Sequence, residues 1–238
     1  MLLVFHTRVL WNEDRKLFQT SFPVNVFADS AIYDIQYGFV RRPMHTNTSW
    51  DFAKFETPAH RYVDVSEHAA GAAVLNDCKY AYTVRNSEII LSLLRSARYP
   101  DYDADRGEQE FSYGFLPHEN SLEDSGVIEE SAQFNRPPAI FCGFDASSAT
   151  ALITGIESDG GISLEVVKHG ERKNALVLRF AETRGRKSCG RVRFHCPADI
   201  TETDLLEWEE RDIAANTTVL ELNLSPFELK TFLVYSRG

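Results

Sequence analysis

The feature that most constrains this chain is a short-range alternation of apolar and polar residues. Over residues 31–39 every odd position is apolar, and three of the four even positions are polar or glycine. Residues 110–116 repeat the pattern, with Phe111, Tyr113 and Phe115 on one side. A period of two residues is typical of a β-strand that buries one face. The chain therefore favours sheets over helices.

Similar segments recur along the whole chain, at residues 3–11, 175–180, 191–194, 219–224 and 229–235. Turn-prone clusters such as residues 158–161 and 169–172 separate them. Strands at this spacing predict an all-β fold of antiparallel sheets packed as a sandwich. The one helix candidate is residues 203–211, where Leu205, Leu206 and Trp208 could share a face.

A domain boundary is predicted near residues 117–138. This stretch is polar, carries two acidic pairs and ends in Pro137-Pro138, which is typical of an extended connector. We therefore expect residues 1–122 to belong to a large β-sandwich domain, residues 123–138 to form a linker and residues 139–238 to form a smaller C-terminal β-domain.

Charge and cysteine content limit the possible partners and compartment. The chain has 25 basic and 35 acidic residues, a formal net charge of −10, which argues against nucleic-acid and anionic-membrane partners because both require a basic face. No apolar run approaches the roughly 20 residues of a membrane helix, and the N-terminus does not resemble a signal peptide. The four cysteines include no CxxC pair. A cytoplasmic location is expected.

Known catalytic and metal-binding motifs are not found in the sequence. Residues 101–107 resemble the start of a calcium loop, but Arg106 and Ser112 occupy the positions where glycine and glutamate are required. The seven histidines lack metal-ligand spacing. His45 and His60 could line a pocket, although a structural role is favoured for each. We predict no catalytic residue and no metal site in this chain.

An ordered series of motifs resembles a known family. The series reads YGFVRRPMHTNTSWD at 37–51, AKFE at 53–56, AHRYVD at 59–64, LNDCKY at 75–80 and ADRG at 104–107. It resembles the C-terminal β-domain of glycoside hydrolase family 38, the α-mannosidases, in their cytosolic and bacterial-like branch. Residues 176–234 are similar to the family's final small β-domain. Asn12 departs from the family pattern, which usually has a basic residue there.

The resemblance implies that the catalytic groups lie in a different domain from this chain. Family enzymes are much longer, and their catalytic zinc, nucleophile and general acid lie in an N-terminal domain. We therefore expect this chain to be a C-terminal fragment that holds no cofactor itself, with the zinc in the missing catalytic domain. The expected partners are that domain and, in the full-length enzyme, a mannose-containing oligosaccharide.

Two further expectations follow from the fragment interpretation. Missing leading strands would leave an unpaired sheet edge, so a homo-oligomer is possible. The isolated chain should not hydrolyse mannosides. The alternative is a free-standing carbohydrate-binding or protein-interaction β-sandwich, since sandwiches host many functions.

The candidate substrate-binding residues lie in one short segment: Asn76, Asp77, Lys79 and Tyr80. Polar, charged and aromatic groups follow there directly after an apolar run, and such a mixture suits sugar recognition. The resemblance implies a loop at the edge of the catalytic cleft. The alternative is an ordinary turn in which Asn76 and Asp77 bond their own backbone.

Overall fold

The computed structural model describes residues 1–143 and 151–236. They form two compact units, Met1–Ala139 and Ile140–Gly238. Every strand pairing among the described residues is antiparallel, which confirms the predicted all-β sandwich class.

The first unit contains two sheets. Sheet I has the order β1-β10-β7-β6-β3-β4 and sheet II has the order β2-β9-β8-β5. The bounds in sheet I are β1 Leu3–Trp11, β3 Ser30–Ile35, β4 Gly38–Pro43, β6 Tyr62–Ser66, β7 Ala70–Asn76 and β10 Gly107–Glu119. Those in sheet II are β2 Leu17–Pro23, β5 Thr57–Pro58, β8 Ala81–Arg85 and β9 Glu88–Arg95.

The main core of this unit lies between the two sheets. Tyr33, Val63 and Val74 from sheet I meet Tyr82 and Leu91 from sheet II. The alternating apolar residues of the predicted strands contribute to this core, as expected. The residues that belong to the cluster or pack against it include Val9, Trp11, Phe111, Tyr113 and Phe115. A short helix, α1 (Ser49–Ala53), connects β4 to β5.

Sheet I is covered on its other face as well. A single 3-10 turn at Leu122–Asp124 leads into helix α2 (Val127–Asn135), and Leu122, Val127 and Ile128 pack with Ile32 and Tyr62 in a second cluster. Most of the stretch predicted as an extended linker over 123–138 is therefore helical and belongs to the first unit. Its apolar residues cover the outer face of sheet I. In the sequence they lie among polar residues, so the pattern does not predict this packing.

The second unit has the strand order β11-β14-β16-β13-β12, with β15 also paired to β14. The bounds are β11 Ile153–Ser158, β12 Ile162–His169, β13 Leu176–Glu182, β14 Ser188–Thr203, β15 Glu210–Leu224 and β16 Leu229–Ser236. The pairing of β14 with β15 shifts in register between Arg193 and Ala198. At the same point the other neighbour of β14 changes from β11 to β16. Both halves of β14 thus contribute to one core.

The predicted helix at 203–211 is wrong. Strand β14 ends at Thr203 and β15 begins at Glu210. Between them Asp204 Oδ1 accepts the backbone N–H groups of Leu206 at 3.2 Å and Trp208 at 2.8 Å, which organises a turn. The side chains of Leu206 and Trp208 are both exposed, so a helix here would have no apolar face to bury.

Candidate functional site

The candidate segment forms the connection between β7 and β8, here called the 76–80 loop. Asn76 is completely buried at its start. Its Nδ2 donates to the backbone oxygen of His60 at 2.6 Å and to the Tyr82 hydroxyl at 2.8 Å, and its Oδ1 accepts the Lys79 N–H at 2.8 Å. Asn76 therefore has no surface for a ligand, and its side chain fixes the shape of the loop.

Asp77 is exposed and bonds to strand β10. Its Oδ2 accepts the Ser112 N–H at 2.8 Å, and its own N–H donates to the Ser112 oxygen at 3.3 Å. A carboxylate can accept several hydrogen bonds, so Asp77 retains capacity for a hydroxyl group. The next residue, Cys78, is held as a thiol, because partial burial and then the bond with Asp77 raise its pKa to about 11.

Lys79 and Tyr80 complete the loop with a cation and a ring. The Lys79 Nζ lies 4.6 Å from the centre of the Phe111 ring, a cation–π arrangement. The Tyr80 side chain is 53% exposed. Its ring centre lies 6.1 Å from that of His60 in an edge-to-face geometry.

His60, which the sequence indicates as a candidate pocket residue, and Gln36, which it does not, are neighbours of the loop. His60 Nε2 lies 3.2 Å from Gln36 Nε2. Together with Tyr80 they form what we call the rim surface (Gln36, His60 and Tyr80). An amide, an imidazole and a phenol ring side by side offer donors, acceptors and an apolar edge, which suits a sugar.

A buried ion pair between Asp34 and Arg61 holds the backbone next to His60 in place. Asp34 is 1% exposed. Its carboxylate accepts the backbone N–H of Arg61 at 2.9 Å and two guanidinium nitrogens of Arg61 at 3.1 and 2.9 Å. The Asp34 carbonyl also accepts the His60 N–H at 3.0 Å. Asp34 stands at an even, polar position of an alternating strand, so the pattern predicts it at the surface; its bidentate partner is what permits burial.

Two more of the buried carboxylates, Asp64 and Glu182, are also engaged in the fold. Asp64 accepts from Ser66 Oγ at 2.6 Å and lies 2.7 Å from His118 Nε2. Glu182 in the second unit accepts the N–H groups of Arg184, Gly185 and Phe227 at 2.8 to 2.9 Å. These carboxylates organise turns and strands rather than a reaction centre.

The described residues contain neither a cluster of metal ligands nor a membrane-spanning helix. Over residues 1–143 and 151–236, no three His, Cys, Asp or Glu side chains come together as metal ligands. Among the same residues, no helix has the length and apolar character needed to cross a membrane.

Two family models match the chain. Residues 2–103 match the Glycosyl hydrolases family 38 C-terminal domain. Residues 161–232 match the Glycosyl hydrolases family 38 C-terminal beta sandwich domain. The first match contains the 76–80 loop, and the rim surface lies within it as well.

Curated relatives extend the similarity over nearly the full chain. Alpha-mannosidase 2C1 of Homo sapiens is 40% identical over 97% of this chain, which corresponds to 23% of the human protein. Alpha-mannosidase G of Dictyostelium discoideum is 35% identical over 96% of this chain and 22% of its own length. The chain thus spans about a quarter of the relatives that it matches.

A solved structure shares the fold. An alpha-mannosidase from Enterococcus faecalis V583 superposes with a TM-score of 0.76 and 21% identity, and the match covers 98% of this chain and 27% of that one. The arrangement of sheets described above is therefore one already seen within a larger protein.

Proposed function

This chain belongs to the C-terminal region of glycoside hydrolase family 38, and we propose that it serves as the β-sandwich scaffold of an α-mannosidase. The observation that carries the proposal is its 40% identity, over 97% of its length, to part of a human α-mannosidase. In this proposal the catalytic groups and the zinc belong to a catalytic domain outside the chain. The substrate is a terminal α-mannoside of an oligosaccharide.

Within that scaffold, we assign the 76–80 loop and the rim surface to the edge of the substrate cleft. Asp77 and Lys79 would bond sugar hydroxyls, while the exposed Tyr80 ring, next to His60, would contact a sugar face. Asn76 acts indirectly: its three hydrogen bonds hold the loop against His60 and Tyr82.

The proposal also places the protein in the cytoplasm. Cys78, Cys142, Cys189 and Cys196 are all free thiols. Unpaired cysteines support a reducing compartment, because oxidising compartments favour disulfides.

A chimera tests the assignment. This chain would replace the matching quarter of human alpha-mannosidase 2C1, and hydrolysis of an aryl α-mannoside would be followed. We expect an active chimera, in which Asp77→Ala lowers kcat/KM by about 5- to 150-fold, the equivalent of about 1–3 kcal/mol for lost hydrogen bonds to substrate. The chain alone should give no turnover, with or without added zinc.

Matched variants keep the test specific. Tyr80→Ala leaves the hydrogen bonds of the loop intact and should also lower kcat/KM, whereas Asp101→Ala, at an exposed carboxylate elsewhere in the first unit, should not. A folded chimera that is inactive, or one in which Asp77→Ala and Tyr80→Ala leave kcat/KM unchanged, would contradict the proposed role. Mannoside binding by the chain alone, with an inactive chimera, would instead favour a free-standing carbohydrate-binding module.

A further inference from the structure

A pocket of the first unit is lined by none of the three rim-surface residues. It lies between β4, which ends sheet I, and the β8–β5 end of sheet II, next to α1. Its cavity volume is about 30 Å³, and the pocket is partly open to solvent. The lining includes Tyr33, Arg42, His45, Lys54, Tyr82 and Arg85. We call it the Arg42–Arg85 pocket.

Both arginines carry a buried nitrogen without a hydrogen-bond partner. Arg42 Nε and Arg85 Nη2 have almost no accessible surface and no hydrogen-bond partner among the described residues, whereas each arginine as a whole is only partly buried. Buried polar groups in folded proteins nearly always have a partner, and a charged donor without one is especially unfavourable. Two such groups in the lining of one pocket indicate a missing acceptor.

The nearby carboxylate does not fill this role. Asp51 also lines the pocket, but its Oδ2 accepts the Thr48 hydroxyl at 2.6 Å, and its Oδ1 lies 3.6 Å from Lys54 Nζ. The bond from Thr48 and the charge of Lys54 hold the pKa of Asp51 below its usual value. Asp51 therefore offsets the charge of Lys54 and leaves both guanidinium groups in excess.

The aromatic floor of the pocket adds no negative charge. The Arg42 guanidinium carbon lies 5.6 Å from the centre of the Tyr33 ring, which orients the group. Burial raises the pKa of the Tyr33 hydroxyl to about 12, so the phenol stays neutral at physiological pH. In a chain of net charge −10, this pocket is a local concentration of positive charge.

We propose that the Arg42–Arg85 pocket binds a small oxyanion, a phosphate or carboxylate group, through the guanidinium groups of Arg42 and Arg85. Guanidinium is suited to this ligand because its planar fork donates two parallel hydrogen bonds to such oxygens. A mannoside carries no charge, so this site differs from the rim surface in the chemistry of its ligand. The inference does not depend on the proposed α-mannosidase function.

The test is titration of the full chain with inorganic phosphate, and separately with acetate, at constant ionic strength against chloride. Isothermal titration and thermal unfolding would report binding. We expect saturable binding of at least one anion, and the anion that binds identifies the ligand class. Arg42→Gln and Arg85→Gln should each weaken binding about tenfold or more. Arg8→Gln, which removes an exposed arginine paired with Glu108, should not.

The same variants show whether the arginines are structural. Removing a charged side chain that has a shielded nitrogen without a partner should leave the melting temperature in chloride unchanged or higher. A marked loss of stability in both variants would show that the guanidinium groups already have partners in the protein, and would overturn the proposal. So would the absence of any effect of phosphate and acetate beyond that of chloride, or unchanged affinity in Arg42→Gln and Arg85→Gln.

Discussion

At the scale of single residues, the first unit holds a buried histidine next to a buried carboxylate. His118 Nε2 lies 2.7 Å from Asp64 Oδ2, and the side chains are 7% and 0% exposed. Burial alone would lower the pKa of His118, but the hydrogen bond and charge of Asp64, together with the backbone of Glu119, outweigh it and raise the pKa above 6.5. The charged pair therefore stabilises the folded state.

This pair should make stability depend on pH. Because the pKa of His118 is higher in the folded than in the unfolded chain, its contribution is complete below about pH 6.5 and is lost as the pH rises through the folded pKa. The free energy of unfolding, measured by urea denaturation between pH 6 and 9, should fall over that window. His118→Gln should remove this part of the slope, while His6→Gln, at an exposed position, should keep it. An identical slope in His118→Gln would contradict the assignment.

At the scale of elements, helix α2 makes the first unit a three-layer structure. The alternation in β3 predicts one buried face, yet Ile32 and Tyr33, on opposite faces, are both buried. Tyr33 faces sheet II and Ile32 packs in the cluster that includes Val127 and Ile128. The helix thus accounts for Ile32, the one apolar residue at an even position of the strand.

Truncation of the buried face of α2 should therefore destabilise the first unit. Ile128→Ala removes a side chain that is 6% exposed, and the expected loss in the free energy of unfolding is about 2–5 kcal/mol. Glu130→Ala, on the exposed side of the same helix, should change it by about 0.5 kcal/mol or less. Equal, small effects of both substitutions in a denaturation experiment would restore the linker interpretation.

At the scale of the whole molecule, the first unit presents an open side. Within the described residues β1 pairs only with β10 and β2 only with β9, so each ends its sheet. The two edges are adjacent, since the Phe5 and Phe22 ring centres lie 5.9 Å apart. Leu3, Val4 and Leu10 of β1 are exposed by 44%, 41% and 72%. A long apolar edge of this kind promotes association.

The isolated chain should accordingly self-associate or bind a hydrophobic dye. Light scattering against concentration and dye fluorescence would measure this, and Leu10→Lys should reduce both signals because a charge on an edge strand opposes pairing. Leu206→Lys, in the exposed turn of the second unit, is the control. A monodisperse monomer at high concentration with no dye signal would contradict the prediction.

The sequence determined the strand content, because alternation is a local property of neighbouring residues. It placed the Phe111, Tyr113 and Phe115 stripe correctly, and its ordered motifs identified the family. Which polar residues are buried became evident only from the folded chain. Asp34 can lie inside because the register of β3 with β6 brings Arg61 beside it, and Asn76 because His60 and Tyr82 accept its amide. Burial of a polar side chain depends on partners distant in sequence, which alternation alone does not specify.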